Sequence, residues 1–352
     1  MTKQTWTAAV SALLFVVAAA FVAMWPVEFV TLSPGASHDL LAEHDGVPVV
    51  QVEQEGAPET TASTGRMLVP TVAITSADAP VSLPEVLFAY WAPDRDVHPR
   101  EYVYPPRSSA TDVRAREAQL MATSQADAAA AALRAAGFEV DQVPMVQSVS
   151  STGPAVDKLF PGDFVLAVDD IETPTVAEAR AVIEARAIGQ EVQFTVLRDR
   201  EPVVVKVDTA ASKTNVGVPV WGGNLVMGYS YAPRISVALD PGVGGASAGL
   251  MMALAIFDTV TPGDLPGGRT IAGTGAIDGS GMVSQVSGVR EKLAAAERDG
   301  AEVFFVPAAN CSDFVDLASP VRVVSVASLE DTINSLELLA DPATEGLVKG
   351  CA

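Results

Sequence analysis

Basic side chains are scarce in this chain: 22 Lys and Arg stand against 43 Asp and Glu in 352 residues, a formal net charge of −21. Neutralising a phosphate backbone takes clustered Lys and Arg. No such cluster occurs, which excludes DNA and RNA as partners and argues against adhesion to anionic lipid. The excess of acid reads as a solubility and habitat effect. Histidine is scarcer still. Its three copies, His38, His44 and His98, all lie in the N-terminal region, far in sequence from the serine considered below, so a Ser-His-Asp triad is not expected. No H-E-x-x-H motif occurs, which excludes that zinc-protease signature. The pattern G-x-x-x-x-G-K-[ST] is missing too, and no ATP site is visible. No cofactor and no metal is expected.

Charge is absent from one long run near the N-terminus. TWTAAVSALLFVVAAAFVAMW, residues 5–25, carries none over about 20 residues, enough for a helix to span ~30 Å of hydrocarbon. Trp6 and Trp25 mark its ends, as interfacial aromatics do. Lys3 and the amino terminus stay on the cytoplasmic side and Glu28 follows on the other, which places the bulk of the chain outside a cell membrane as a single-pass protein. The competing reading is a cleaved signal peptide; its apolar region would be long, and no A-x-A site follows before Pro26. An exported location permits a disulfide between the two cysteines, Cys311 and Cys351, which would clip the C-terminus to the last domain; two free thiols are the alternative.

The length suggests two or three domains. Behind the anchor, residues 1–26, residues 27–110 are rich in Val, Thr and Pro with short strand-like runs, and read as a β-rich membrane-proximal region. PPRSSATD, residues 105–112, is a breaker-rich linker. Residues 111–137 read as an Ala-rich helical connector stopped by Gly137. Residues 138–210 alternate as a small β-sandwich with one helix, at 176–187. The last domain, 214–342, begins with strands at VGVPVW and RISVAL and ends on a helix capped by Ser328. Strands and helices interleave without regular βαβ spacing, so the class is α+β.

The stretch DPGVGGASAGLMMALAIF, residues 240–257, sets a lone hydroxyl before a buried-looking helix. Ser247 is an N-cap on one reading. On the other it is a nucleophile, with free N–H groups and a positive dipole end beside it to hold an oxyanion. Its glycines alone are weak grounds for a nucleotide site. A serine without histidine needs another base, and a lysine serves once burial lowers its pKa. In SGVREKLAAAERDG, Val289, Lys292, Leu293 and Ala296 share one helix face, while Arg290, Glu291, Glu297 and Arg298 fall on the other. Lys292 therefore lies in the apolar stripe, either as a base or as a lysine snorkelling at its edge.

Two resemblances bear on these readings. GPAVDKLFPGDFVLAVDD, residues 153–170, resembles a PDZ domain; Asp163 of its Pro-Gly-Asp is expected to cap the turn. PDZ domains take extended peptide ends between a strand and a helix. GGASAGL, the Gly-Thr-Gly of IAGTGAIDGSGMVSQVSG, and VREKLAAA together resemble the proteolytic domain of Lon proteases over residues 217–340, with Ser247 and Lys292 45 positions apart. With the anchor and the PDZ-like segment, the chain resembles membrane-anchored PDZ domain-containing Lon-like serine proteases. That resemblance implies Ser247 as nucleophile, Lys292 as general base, Thr274 beside the lysine amine, and oxyanion donors in the backbone near Gly245 and Ala246. It implies ATP-independent cleavage of membrane or secreted polypeptides, and a homo-oligomer. Two positions depart from the pattern: Ala246 replaces a proline, and Ser287–Gly288 replaces a glycine pair. A non-catalytic PDZ adaptor with a degenerate Lon-type domain is the alternative.

Overall fold

The computed structural model describes residues 3–44, 46–53, 63–76, 78–104, 110–240, 243–314 and 317–351. Most of the expected 105–112 linker lies outside them. Eight α-helices occur among the described residues: α1 Lys3–Met24, α2 Leu83–Trp91, α3 Arg100–Val103, α4 Ala110–Ala135, α5 Val176–Glu184, α6 Gly249–Val260, α7 Val289–Arg298 and α8 Leu329–Ala340. Helix α1 buries no residue and is long and apolar enough to cross a membrane. Local chemistry accounts for several boundaries. Thr175 and Glu178 form a capping box at α5, Ser328 caps α8 by accepting from Asp331 N–H at 3.1 Å, and Gly137 at φ +84° follows the end of α4.

The chain divides into two compact units, residues 1–137 with 233–352, and residues 138–232 between them. A six-stranded mixed sheet runs through the first, in the order Arg322–Val326, Val303–Pro307, Thr270–Gly273, Arg66–Ile74, Phe29–Asp39 and Asp96–Pro99. Its first four strands are parallel and the last two antiparallel. Residues 27–110, set apart by composition as a membrane-proximal region, thus contribute half of this sheet. The cause is visible in Met67, Leu68 and Val69, all buried: a strand covered on both faces needs a neighbour at each edge. Ala272 pairs with Leu68 on one side, and His38 with Val69 on the other.

The second unit is an antiparallel sheet ordered Glu201–Asp208, Glu191–Arg198, Phe164–Val168, Val140–Val149 and Gly223–Tyr231, around a core containing Val146, Phe194 and Trp221. Residues 214–232, expected in the last domain, belong here. The Gly223–Tyr231 strand pairs along the whole of Val140–Val149, a partnership that sequence separation conceals. Asp163 accepts from Phe160 N–H at 2.9 Å, three residues back rather than two ahead. Its carboxylate also receives Arg198 at 2.8 and 2.6 Å, which compensates for its burial.

Cys311 and Cys351 are joined, S–S 2.00 Å, across 40 residues. Loop-closure entropy for such a span corresponds to about 4 kcal/mol at most. Cys351→Ser is expected to lower the urea midpoint accordingly; an unchanged midpoint under oxidising conditions would show that the bridge contributes nothing.

Candidate active site

Helix α6 is buried along nearly its whole length, from Gly249 to Val260. The chain enters it through Gly245, at φ +81°, a conformation only glycine adopts freely. The residue at the cap position is Ala248, which provides no side-chain bond. Ser247 sits one residue earlier, so the capping role does not fall to it. Among the described residues its hydroxyl makes no hydrogen bond, and it is half-buried. Its carbonyl is fixed instead, accepting from Gly275 N–H at 2.9 Å and from the Thr274 hydroxyl at 3.0 Å. Helix α4 braces the turn: the Ser124 hydroxyl, buried on that helix, donates to the Ala246 carbonyl at 3.2 Å. Nothing in an Ala-rich helix singled Ser124 out.

Lys292 comes from α7. It is 4% exposed, so it does not snorkel. Its Nζ donates to Thr274 Oγ1 at 3.0 Å. Thr274, itself buried, therefore links the lysine amine to the main chain of Ser247 by two successive hydrogen bonds. Burial lowers the Lys292 pKa from 10.5 to about 8, against a smaller opposing pull from Glu291. The backbone N–H groups of Ala246 and Ser247 have no acceptor among the described residues, whereas that of Gly245 points to Glu117 O at 3.5 Å. Ala246 and Ser247 thus fit an oxyanion site better than Gly245. Of the two residues before α7, only Gly288 is constrained. It has φ +70°, and a Cβ there would meet Val72 Cγ2 at 2.6 Å. Ser287 carries no such restriction.

Glu291 is the correction on this helix. Expected on the solvent side, it is fully buried, and among the described residues neither carboxylate oxygen makes a hydrogen bond. Arg290, Glu297 and Arg298 are exposed as expected, but the face of α7 packed on the strands Phe29–Asp39 and Arg66–Ile74 is broad enough to take in Glu291 at its edge. Burial pushes its carboxyl up to about 7, and the carboxylate of Asp96 on the outermost strand adds to the rise. The same sheet brings His38 and His98 into this unit, although neither bonds to Ser247 among the described residues. A cavity of ≈450 Å³ opens beside the serine turn, lined by Glu117, Met121 and Gln125 of α4 and by Val237, Leu239 and Val243. Among the described residues no group of His, Cys, Asp and Glu could hold a metal ion.

The Lon protease (S16) C-terminal proteolytic domain matches residues 240–337, and the PDZ domain matches residues 125–209. The chain carries a PDZ domain and a Lon-type proteolytic domain. Lon protease 2 of Bacillus subtilis is 30% identical over 103 residues, 29% of this chain and 18% of that protein. The mitochondrial Lon protease homolog of Aspergillus fumigatus is 38% identical over 94 residues, 27% of this chain and 8% of that one. The chain therefore spans less than a fifth of the length of these relatives. Among solved structures, the PDZ domain of an SdrC-like protein from Listeria monocytogenes is 25% identical, with a TM-score of 0.23, covering 24% of this chain and 87% of that one. The Lon-type match holds Ser247, Thr274 and Lys292 together. The PDZ match stops short of Gly223–Tyr231, the edge strand of the second unit. A groove of ≈190 Å³ runs between that strand and α5, lined by Val176, Arg180, Ile183, Trp221 and Leu225. Gly223 passes so close to the Trp221 ring that a Cβ would overlap it.

Proposed function

We propose that this chain is an ATP-independent, membrane-anchored endopeptidase that works through a Ser247–Lys292 dyad. The observation that carries the reading is Lys292: a buried amine with no carboxylate hydrogen-bonded to it among the described residues, held through Thr274 to the main chain of Ser247. At a pKa of about 8, roughly one molecule in ten carries the neutral amine at pH 7, against roughly one in three thousand for a solvated lysine. The neutral amine takes the Ser247 proton as the hydroxyl oxygen attacks a peptide carbonyl. The N–H groups of Ala246 and Ser247 hold the oxyanion, each such donor being worth ~3 kcal/mol. Protonated Lys292 then gives its proton to the leaving amine. The neutral amine next activates water, which releases the acyl group and regenerates the serine.

The cavity beside Val243 is where the flanking peptide would lie. Gly223–Tyr231, the last strand of its sheet and beside α5, suits addition of an extended peptide strand, so the PDZ domain would recruit substrate or gate the site. Substrates are membrane or secreted polypeptides, and the catalytic domain works outside the membrane as a homo-oligomer. Treating the full chain with a serine-reactive fluorophosphonate is expected to label one peptide, containing Ser247, and Ser247→Ala is expected to remove the label. A folded protein that binds peptides, takes no label and cleaves nothing would be the adaptor instead.

A further inference from the structure

The sequence of α2, LPEVLFAYW, plays no part in the site above, yet its outer surface is unusual. Val86 and Ala89 face the protein and are buried, while Leu87, Phe88, Tyr90 and Trp91 are 40, 61, 74 and 74% exposed. Leu87, Phe88 and Trp91 continue the i, i+3, i+4, i+7 series that starts at Pro84, so they form one helical face. Glu85, in the first turn, is the helix's one charged residue. A contiguous apolar face of this kind in water needs an explanation.

Its position supplies one. Pro26–Val27, directly after α1, pairs with Val81–Ser82, directly before α2. This ribbon turns the chain back beside the helix it has just left. Leu83, Pro84 and Leu87 form an apolar cleft of ≈440 Å³ with α1 residues that include Phe15, Ala19 and Val22. At 1.5 Å per residue, Phe15 lies ~15 Å along the axis from Trp25, about half the thickness of a hydrocarbon core. With Trp25 at the interface, α2 meets α1 at the depth of acyl chains, not of water.

We propose that α2 is a second membrane contact, a monotopic helix whose Leu87, Phe88, Tyr90 and Trp91 face sits in the acyl–headgroup boundary of the leaflet holding the C-terminal half of α1. The inference rests on α1 being a membrane span. Tyr and Trp at the rim suit that boundary. The guanidinium of Arg95 lies 5.2 Å from the centre of the Phe88 ring, where it can meet a headgroup phosphate. The lipid is zwitterionic, because a chain of net charge −21 is repelled by an anionic surface. Strand Asp96–Pro99 follows within a few residues, so this contact holds an edge of the catalytic sheet against the bilayer.

The test uses the full chain in phosphatidylcholine nanodiscs with and without brominated acyl chains. Tryptophan emission is compared between wild type, Trp91→Phe and Trp25→Phe, with acrylamide as the aqueous quencher. The emission assigned to Trp91 by difference is expected to be lost in brominated lipid and to survive acrylamide. Loss of the Trp25 signal in brominated lipid, with Trp91 open to acrylamide, would overturn the α2 contact and leave the anchor standing. If neither responds to bromine, both fall. A Trp91 shielded from both quenchers would mean that protein, such as a second copy, covers the face, and would overturn the lipid assignment.

Discussion

Lys292→Met is expected to lower kcat/KM for a fluorogenic peptide by at least about three orders of magnitude while leaving the protein folded. Methionine has nearly the shape of lysine without the charge, and the site is buried, so the fold loses no ion pair and is relieved of a desolvated amine. The wild-type rate has its own signature. The base must be neutral, and burial brings its pKa to about 8. Between pH 6 and pH 8, kcat/KM therefore rises about 50-fold, about tenfold over the first unit and less over the second, and then levels off. A histidine base would level off near its ordinary pKa of about 6.5. A variant that cleaves at the wild-type rate, or a profile flat across pH 6–8, would remove Lys292 from the mechanism. Thr274→Val keeps the volume but breaks the bridge to the Ser247 carbonyl; a fall in kcat with KM unchanged would mark Thr274 as a positioning residue.

The second large effect concerns Glu291. Its folded-state pKa of about 7 exceeds the ordinary 4.5, so the folded protein binds the extra proton between those values. Stability from this group is highest below about pH 4.5 and declines as pH rises to about 7, by about 3 kcal/mol in total. Glu291→Gln abolishes that decline. The difference in unfolding free energy, variant minus wild type, should grow in the variant's favour by that amount between pH 4.5 and pH 7.5. Other carboxylates cancel in the difference. The substitution also removes the negative charge that holds the Lys292 pKa up, so the inflection of the rate profile should move to lower pH. Parallel stability curves together with an unmoved inflection would show that Glu291 titrates alike in the folded and unfolded protein and that burial does not hold its proton.

The features that nominate the candidate site and the apolar helix were legible because their signals are local. An uncharged run of about 20 residues, a serine at the mouth of an apolar helix and a lysine in an apolar stripe each declare themselves within one or two helical turns. Glu291 was misplaced because the apolar stripe suggested a narrow buried face, whereas the buried face of α7 also takes in Glu291 and Ala295. That sheet was illegible as a unit. Thr270 pairs with Arg66, and no local pattern announces a parallel partner 204 residues away. The run MLVP was the only sign, a continuous apolar stretch typical of a strand covered on both faces. Likewise Trp221 and Gly223 read as the start of the last domain, because a strand's partner is not written in its own residues. Ser247 was assigned a cap it does not make because the chain enters α6 through Ala248 in helical conformation, which leaves the hydroxyl one position too early.

The parallel register between Arg66–Ile74 and Thr270–Gly273 also sets an order of events. The strands synthesised first cannot complete their sheet until Val303–Pro307 and Arg322–Val326 have followed them, whereas residues 138–232 can close on themselves as soon as they are made. High contact order of this kind slows folding and prolongs the life of bare strand edges. The complete sheet therefore arrives last, and a fragment beginning at residue 214 would lack three of the six strands beside the candidate active site.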